Sequence, residues 1–110
     1  VWRAHMSWIG LTQADLRRTL ILRSSLTFAD LTEASLQQAD LRLSDLRQAN
    51  LQGANLQGAK LCFADFSGAD LSYANLSGAD LTGAIVRGVN WREVRLEGTI
   101  SQPTLPTALV

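Results

Sequence analysis

Residues 29–83 read ADLTE-ASLQQ-ADLRL-SDLRQ-ANLQG-ANLQG-AKLCF-ADFSG-ADLSY-ANLSG-ADLTG. The stretch divides into fives without a gap. Each block opens on Ala or Ser, continues with Asp, Asn, Ser or Lys, and places Leu or Phe third. Working outward, the same frame holds from Ala4 to Gly98, nineteen consecutive blocks. Beyond the quoted stretch the third position is Leu or an apolar substitute: Met6, Ile21, Val86 or Trp91. A period of five fits neither regular element, since a helix repeats its apolar face about every 3.6 residues and a strand alternates. The first and third positions of a block lie two residues apart, so on a short extended stretch they point the same way. The chain must then turn before the next block. Short straights joined by regular corners wind into a solenoid with Ala and Leu inside and the other three positions outside.

The pattern Ala-(Asp/Asn)-Leu-x-x over residues 4–98 closely resembles the pentapeptide-repeat family. The resemblance implies an all-β fold, a right-handed quadrilateral parallel β-helix with four blocks per coil. About five coils of 20 residues would then make a rod roughly 24 Å long, at roughly 4.8 Å per stacked layer. Charge placement supports this phase independently. At a period of 20, the second-position columns read Asp30-Asn50-Asp70-Asn90 and Asp40-Lys60-Asp80, and only Asp45-Asp65 sets two carboxylates together. Periods of 15 and 25 each stack more carboxylate pairs, and like charges directly opposite are unfavourable.

The domain reading is an N-terminal cap, or residues in part added in cloning, over 1–8, the repeat over 9–98, and a C-terminal cap or tail over 99–110. Trp2, Met6 and Trp8 at one end, and Val89, Trp91 and Val94 at the other, are bulky enough to close open coils. Pro103 and Pro106 would stop further pairing. The expected core is Leu31, Leu36, Leu41, Leu46, Leu51, Leu56, Leu61, Phe66, Leu71, Leu76 and Leu81.

Charge excludes several classes. Lys plus Arg equal Asp plus Glu at 10 each, which argues against a general nucleic-acid binder and against a strongly acidic mimic of DNA. The chain holds no apolar run of the roughly 20 residues that span a bilayer, so no membrane partner is expected. No secretory signal is visible; the compartment stays open, with the cytoplasm as the expectation and a removed leader as the alternative. His5 is the sole histidine and Cys62 the sole cysteine, so neither a histidine relay nor a disulfide is supported. Cys62, at the fourth position of its block, reads as a surface thiol. No Gly-rich phosphate loop occurs, and the glycines fall where corners need permissive backbone. Asp45 and Asp65, stacked, are the one carboxylate pair able to raise a pKa or hold a cation, although Asp is what the repeat uses at that position. No catalytic residue, cofactor or metal is therefore expected, and no enzymatic activity.

Outward positions should be polar, so outward apolar residues are informative. In a 20-residue coil one face carries 19–23, 39–43, 59–63 and 79–83. On it Leu20 replaces the usual Asp, Leu22 takes another outward position, and Arg23, Leu43, Phe63 and Gly83 form one column. With Arg42 and the only lysine, Lys60, they make the candidate partner-binding face. Trp8 and Phe28 form a smaller candidate stack on the adjoining face. The functional expectation is a protein-interaction or scaffold module with an unidentified protein partner, or a homodimer through this face or a rod end. The alternatives are a DNA-mimicking, gyrase-protecting protein, which the resemblance suggests and the balanced charge opposes, and a repeat domain of a larger signalling protein.

Overall fold

The computed structural model describes residues 3–100. Its winding follows from where the five N–H groups of each block go. In block 49–53, Ala49 N–H donates to Leu46 O at 3.1 Å, Asn50 N–H to Ala29 O at 2.9 Å, and Leu51 N–H to Asp70 O at 2.7 Å. Gly53 N–H donates to Ser72 O at 2.9 Å. Gln52 N–H donates to the side-chain Oδ1 of Asn50 at 3.0 Å. One bond closes the turn behind, three reach the coils on either side, and the last stays within the block. No donor of the block is left unpaired, as buried or half-buried backbone requires.

Parallel bridges join second-position residues twenty apart, from His5 with Ser25 through Asp40 with Lys60 to Asp80 with Ile100. Every bridge is isolated. The straights expected from the sequence shrink to one paired residue and its flanks, because the fourth and fifth positions of each block are already turning. The result is a parallel β-helical solenoid built from bridges alone among the described residues. Its first face carries 4–8, 24–28, 44–48, 64–68 and 84–88. The second carries 9–13, 29–33, 49–53, 69–73 and 89–93, and the third 14–18, 34–38, 54–58, 74–78 and 94–98. The fourth carries 19–23, 39–43, 59–63 and 79–83.

The corners rest on one backbone conformation. The third-position carbonyl accepts from the N–H three residues on, as in Ala54 to Leu51 at 3.0 Å. The fifth-position residue between them has positive φ: 61° at Gln48, 70° at Gly53, 61° at Phe63. A turn closed this way with φ above zero at its third residue is type II. Glycine takes that conformation without strain, whereas an L-residue there costs roughly 1–2 kcal/mol. Thirteen non-glycine residues nonetheless hold it. Along the middle of the rod the turn bond and the ladders on both sides fix the corner, while at Arg23 the Ser44 hydroxyl takes the place of the turn bond.

Inside, the side chains of Leu31, Leu36, Leu41, Leu46, Leu51, Leu56, Leu61, Phe66, Leu71, Leu76 and Leu81 are all buried, with the Ala positions between them. Burial weakens towards both ends. Met6, Ile9, Leu11 and Leu16 at one end, and Ala84, Val86, Val89, Val94 and Leu96 at the other, are only partly buried. Trp2, Pro103 and Pro106 lie outside the described residues. Trp8 does not close the first coil: its fifth-position placement turns the ring outward, 73% exposed, so that it stacks on Phe28. Trp91, in a Leu position, does turn inward and is buried.

Candidate functional site

A second-position Asp or Asn fixes the local geometry of the outward surface in its block. Its Oδ1 accepts the N–H two residues on: Asp65 from Ser67 at 2.9 Å, Asp70 from Ser72 at 2.9 Å, Asn75 from Ser77 at 3.0 Å and Asp80 from Thr82 at 3.0 Å. These are Asx turns, which stand in for a backbone partner. Where an Asp block also carries Arg at the fourth position, the same carboxylate takes the guanidinium as well. Arg17 reaches Asp15, Arg42 reaches Asp40 and Arg47 reaches Asp45 through Nε and a terminal nitrogen, at 2.7–2.9 Å. Three of the outward arginines are thus neutralised within their own blocks. The spacing Asp-Leu-Arg at 15–17, 40–42 and 45–47 carried that signal in the sequence.

On the fourth face, bridges place Leu20, Asp40, Lys60 and Asp80 in one column. Leu22 is half-buried, and Arg23, Arg42 and Lys60 are exposed. Leu20 is 51%, Leu43 47% and Phe63 59% exposed, so the candidate residues do share one solvent-facing surface. Asp40 sits almost buried among them. Burial alone would raise its pKa, but the Arg42 hydrogen bonds, with the charges of Arg42 and Lys60, hold the carboxyl below its ordinary value.

Two details shape the corner column. A Cβ on Gly83 would meet Phe63 ring carbons at 2.5 Å, so the Phe63 ring occupies the space that this glycine leaves. One coil earlier, the Ser44 hydroxyl enters the turn of the irregular block 19–23. It accepts from Ser24 N–H at 3.1 Å and donates to Ile21 O at 2.7 Å. The serine in an alanine position therefore opens the corner that presents Leu22 and Arg23. Arg23 and Leu43 also line a depression with Arg3, Ala4, His5 and Ser25.

Cys62 is half-buried, and its thiol pKa is raised by burial and then by the Asp80 carboxylate, which accepts its hydrogen bond. It stays protonated and unreactive at neutral pH. Asp45 and Asp65 are bridged, and the pKa of Asp45 is lowered rather than raised. Hydrogen bonds from Arg47 lower it, while Asp65 accepts the Ser67 N–H and hydroxyl. Among the described residues no group of three or more His, Cys, Asp or Glu is placed to hold a metal ion. On the first face, Trp8 and Phe28 stack with ring centroids 4.3 Å apart and planes 4° from parallel. On the second, Arg92 lies 5.7 Å from the ring centroid of Tyr73. In the sequence only the fifth-position placement of Tyr73 and the arginine nineteen residues on mark this pair.

The sequence profile described as Pentapeptide repeats matches residues 11–48 and 49–88, in eight copies. No curated protein matches the sequence. Among solved structures, a pentapeptide repeat protein of the Arabidopsis thaliana thylakoid lumen is 25% identical, with a TM-score of 0.64 over 96% of this chain and 71% of that one. A pentapeptide repeat protein from the cyanobacterium Cyanothece 51142 is 30% identical over 90% of this chain and 84% of that one, with a TM-score of 0.40. A third, from Nostoc Pcc 7120, is 33% identical over 86% of each chain, with a TM-score of 0.41. With its five-residue frame, its bridges twenty residues apart and a profile match over most of its length, this chain belongs to the pentapeptide repeat family.

Proposed function

We propose that this chain is a non-enzymatic protein-interaction or scaffold module, a right-handed quadrilateral rod of about five coils whose fourth face docks a protein partner. The observation that carries the reading is the gathering of Leu20, Leu43 and Phe63, each about half exposed, on that one face. Leu22 flanks them, and Arg23, Arg42 and Lys60 border them with positive charge. A rigid surface of this kind loses little conformational freedom on binding, so apolar contact there is not offset by the ordering of loops. Arg42 is tied to Asp40, leaving Arg23 and Lys60 as the cations best placed to steer an acidic rim on the partner.

Gyrase protection by DNA mimicry is the weaker reading, because basic and acidic residues balance at 10 each and a DNA mimic needs a net negative surface.

The test is a pull-down from lysate of the source organism, comparing the wild type with a Leu43→Glu/Phe63→Glu double variant of unchanged circular dichroism and melting temperature. A protein retained by the wild type and lost by the variant, then shown to bind the purified rod directly, supports the reading. Recovery of the same proteins by both, or of none by either, removes the fourth face as the docking surface.

A further inference from the structure

The fourth face is complementary to its own reversed image. Its outward residues stand in three columns: Leu20-Asp40-Lys60-Asp80 at the second position, Leu22-Arg42-Cys62-Thr82 at the fourth, and Arg23-Leu43-Phe63-Gly83 at the corner. Consider a two-fold axis lying across the face, midway between the coils of Asp40 and Lys60. It sets each column against the same column of a second copy, in reverse order. Asp40 then faces Lys60 of the second copy, and Lys60 faces its Asp40. Leu43 faces Phe63 in the same reciprocal way, so four apolar side chains meet along one corner. Arg42 faces Cys62, Arg23 faces Gly83 and Leu20 faces Asp80, and no residue lies opposite a like charge. Moving the axis onto the coil of Lys60 sets Lys60 on Lys60 and Asp40 on Asp80. Moving it onto the coil of Asp40 sets two Asp40 carboxylates together. Like charges in these slipped registers work against them. An axis along the rod, which keeps the copies parallel, sends the two corner columns to opposite edges and parts Leu43 from Phe63.

Shape agrees with charge. The Phe63 ring leans over Gly83 and away from Leu43 of its own chain, since a Cβ on that glycine would meet ring carbons at 2.5 Å. In the reversed copy the same lean carries the ring past the opposing Leu43 towards Arg23. There the surface has a depression of about 390 Å³ whose walls include Arg23, Leu43, His5 and Ser25. The ring is 59% exposed on its own rod and finds a seat on the other. An aromatic side chain in a partner's pocket is the common anchor of an interface, and the Arg23 guanidinium is placed to cover the ring face. Asp40 is nearly buried and already holds Arg42, so its pairing with Lys60 supplies register and the apolar corner supplies the attraction. The face is four coils tall, roughly 19 Å at roughly 4.8 Å per coil. That is small for a permanent interface, so the association is a reversible one.

We propose that the occupant of the fourth face is a second copy of this chain, docked antiparallel, with the Phe63 of each copy seated between Arg23 and Leu43 of the other. This rests on the reading of that face as the docking surface and supplies its partner. The contact is isologous, so it closes at two copies.

Sedimentation velocity on the full chain over a range of concentrations, joined to cross-linking, tests this. The expected result is a reversible rise from monomer to a plateau at dimer. Phe63→Ala, a change at an exposed side chain, should weaken association at least tenfold. Register is read from two variants, Leu22→Cys/Cys62→Ser and Thr82→Cys/Cys62→Ser, in a column that already carries a thiol. In the proposed dimer Leu22 faces Thr82 of the other copy. The two Leu22 positions lie three coils apart, roughly 14 Å, beyond the reach of a disulfide. Under mild oxidation an equimolar mixture should therefore cross-link at least tenfold more than either variant alone. Matching melting curves for all the proteins exclude a folding defect. A full chain that stays monomeric at its highest soluble concentration overturns the proposal. So does association that continues past dimer, that is indifferent to Phe63→Ala, or that cross-links either variant alone as well as the mixture. A lysate protein that the Leu43→Glu/Phe63→Glu variant loses, bound by a wild type that is itself monomeric, leaves the fourth face as a docking surface but removes the second copy as its occupant.

Discussion

At the residue scale, the second position of each block shows how one side chain serves several levels at once. Asp70 accepts the N–H of Ser72, a buried residue whose donor no ladder reaches. Asn75 does the same for Ser77, which is why the repeat accepts either residue there: the shared Oδ1 is what counts, not the charge. Asp70→Asn should therefore be close to neutral, while Asp70→Ala should cost about 1–3 kcal/mol by leaving a buried donor unpaired. Urea unfolding of the two variants checks this, and equal losses would show that charge, not the acceptor, is what the position supplies. The sequence displayed the Asp/Asn preference plainly but not its cause. The cause depends on the turn that aims each N–H back at its own block, and that turn was visible only as a place where glycines were frequent. The Asp-Leu-Arg pairs were legible as a spacing, since residues two apart on an extended stretch lean the same way, but the two-pronged fold of the guanidinium onto the carboxylate is given by the geometry.

The coil is the element of this protein, and its inner face was the most legible part of the sequence. Leu56 and its neighbours fall inside because the five-residue frame leaves no other choice. Leu56→Ala should open a cavity and cost about 2–5 kcal/mol, and Ala54→Leu should overpack the same layer by about 1–3 kcal/mol. Thermal unfolding of both variants tests the pair. A tolerated Ala54→Leu would mean that the interior is looser than its complete burial implies. Less legible were the outward corners. The repeat frame places Phe63 outward in a column with Gly83, but not the ring's dependence on that glycine for its seat, which only the packing shows. Size and nearness to an end make Trp8 look like part of a cap. Its block position, which places it at a corner with φ of 66°, outweighs its size.

For the whole molecule, the carboxylates act together on stability. Asp15 is lowered to about 2 by the Arg17 hydrogen bonds. Hydrogen bonds from Thr32 lower Asp30, those from Arg47 lower Asp45, and those from Thr82 lower Asp80. Groups whose folded pKa lies below the unfolded value bind protons more readily when the chain unfolds. Their contribution is present above roughly pH 4 and is lost as pH falls through that value towards the folded pKa values. The urea midpoint should thus hold steady down to about pH 5 and decline between about pH 4 and pH 2. Asp45→Asn, which keeps the Asx turn but not the charge, should flatten part of that decline. A midpoint indifferent to acid would show that these contacts are equally strong in the unfolded chain.

The spacing of the bridges has a consequence for how such a chain can change length. The interior repeats every five residues, but each outward side chain meets its neighbours across an offset of twenty. Deleting one block from the middle leaves every Leu indoors and every turn intact, yet it rotates all that follows by a quarter turn. Without residues 49–53, Leu43 would have Gly68 rather than Phe63 above it. Four blocks removed or duplicated together restore every column. A lineage of such rods can drift in length one block at a time and still fold, but it inherits a working surface only in multiples of four.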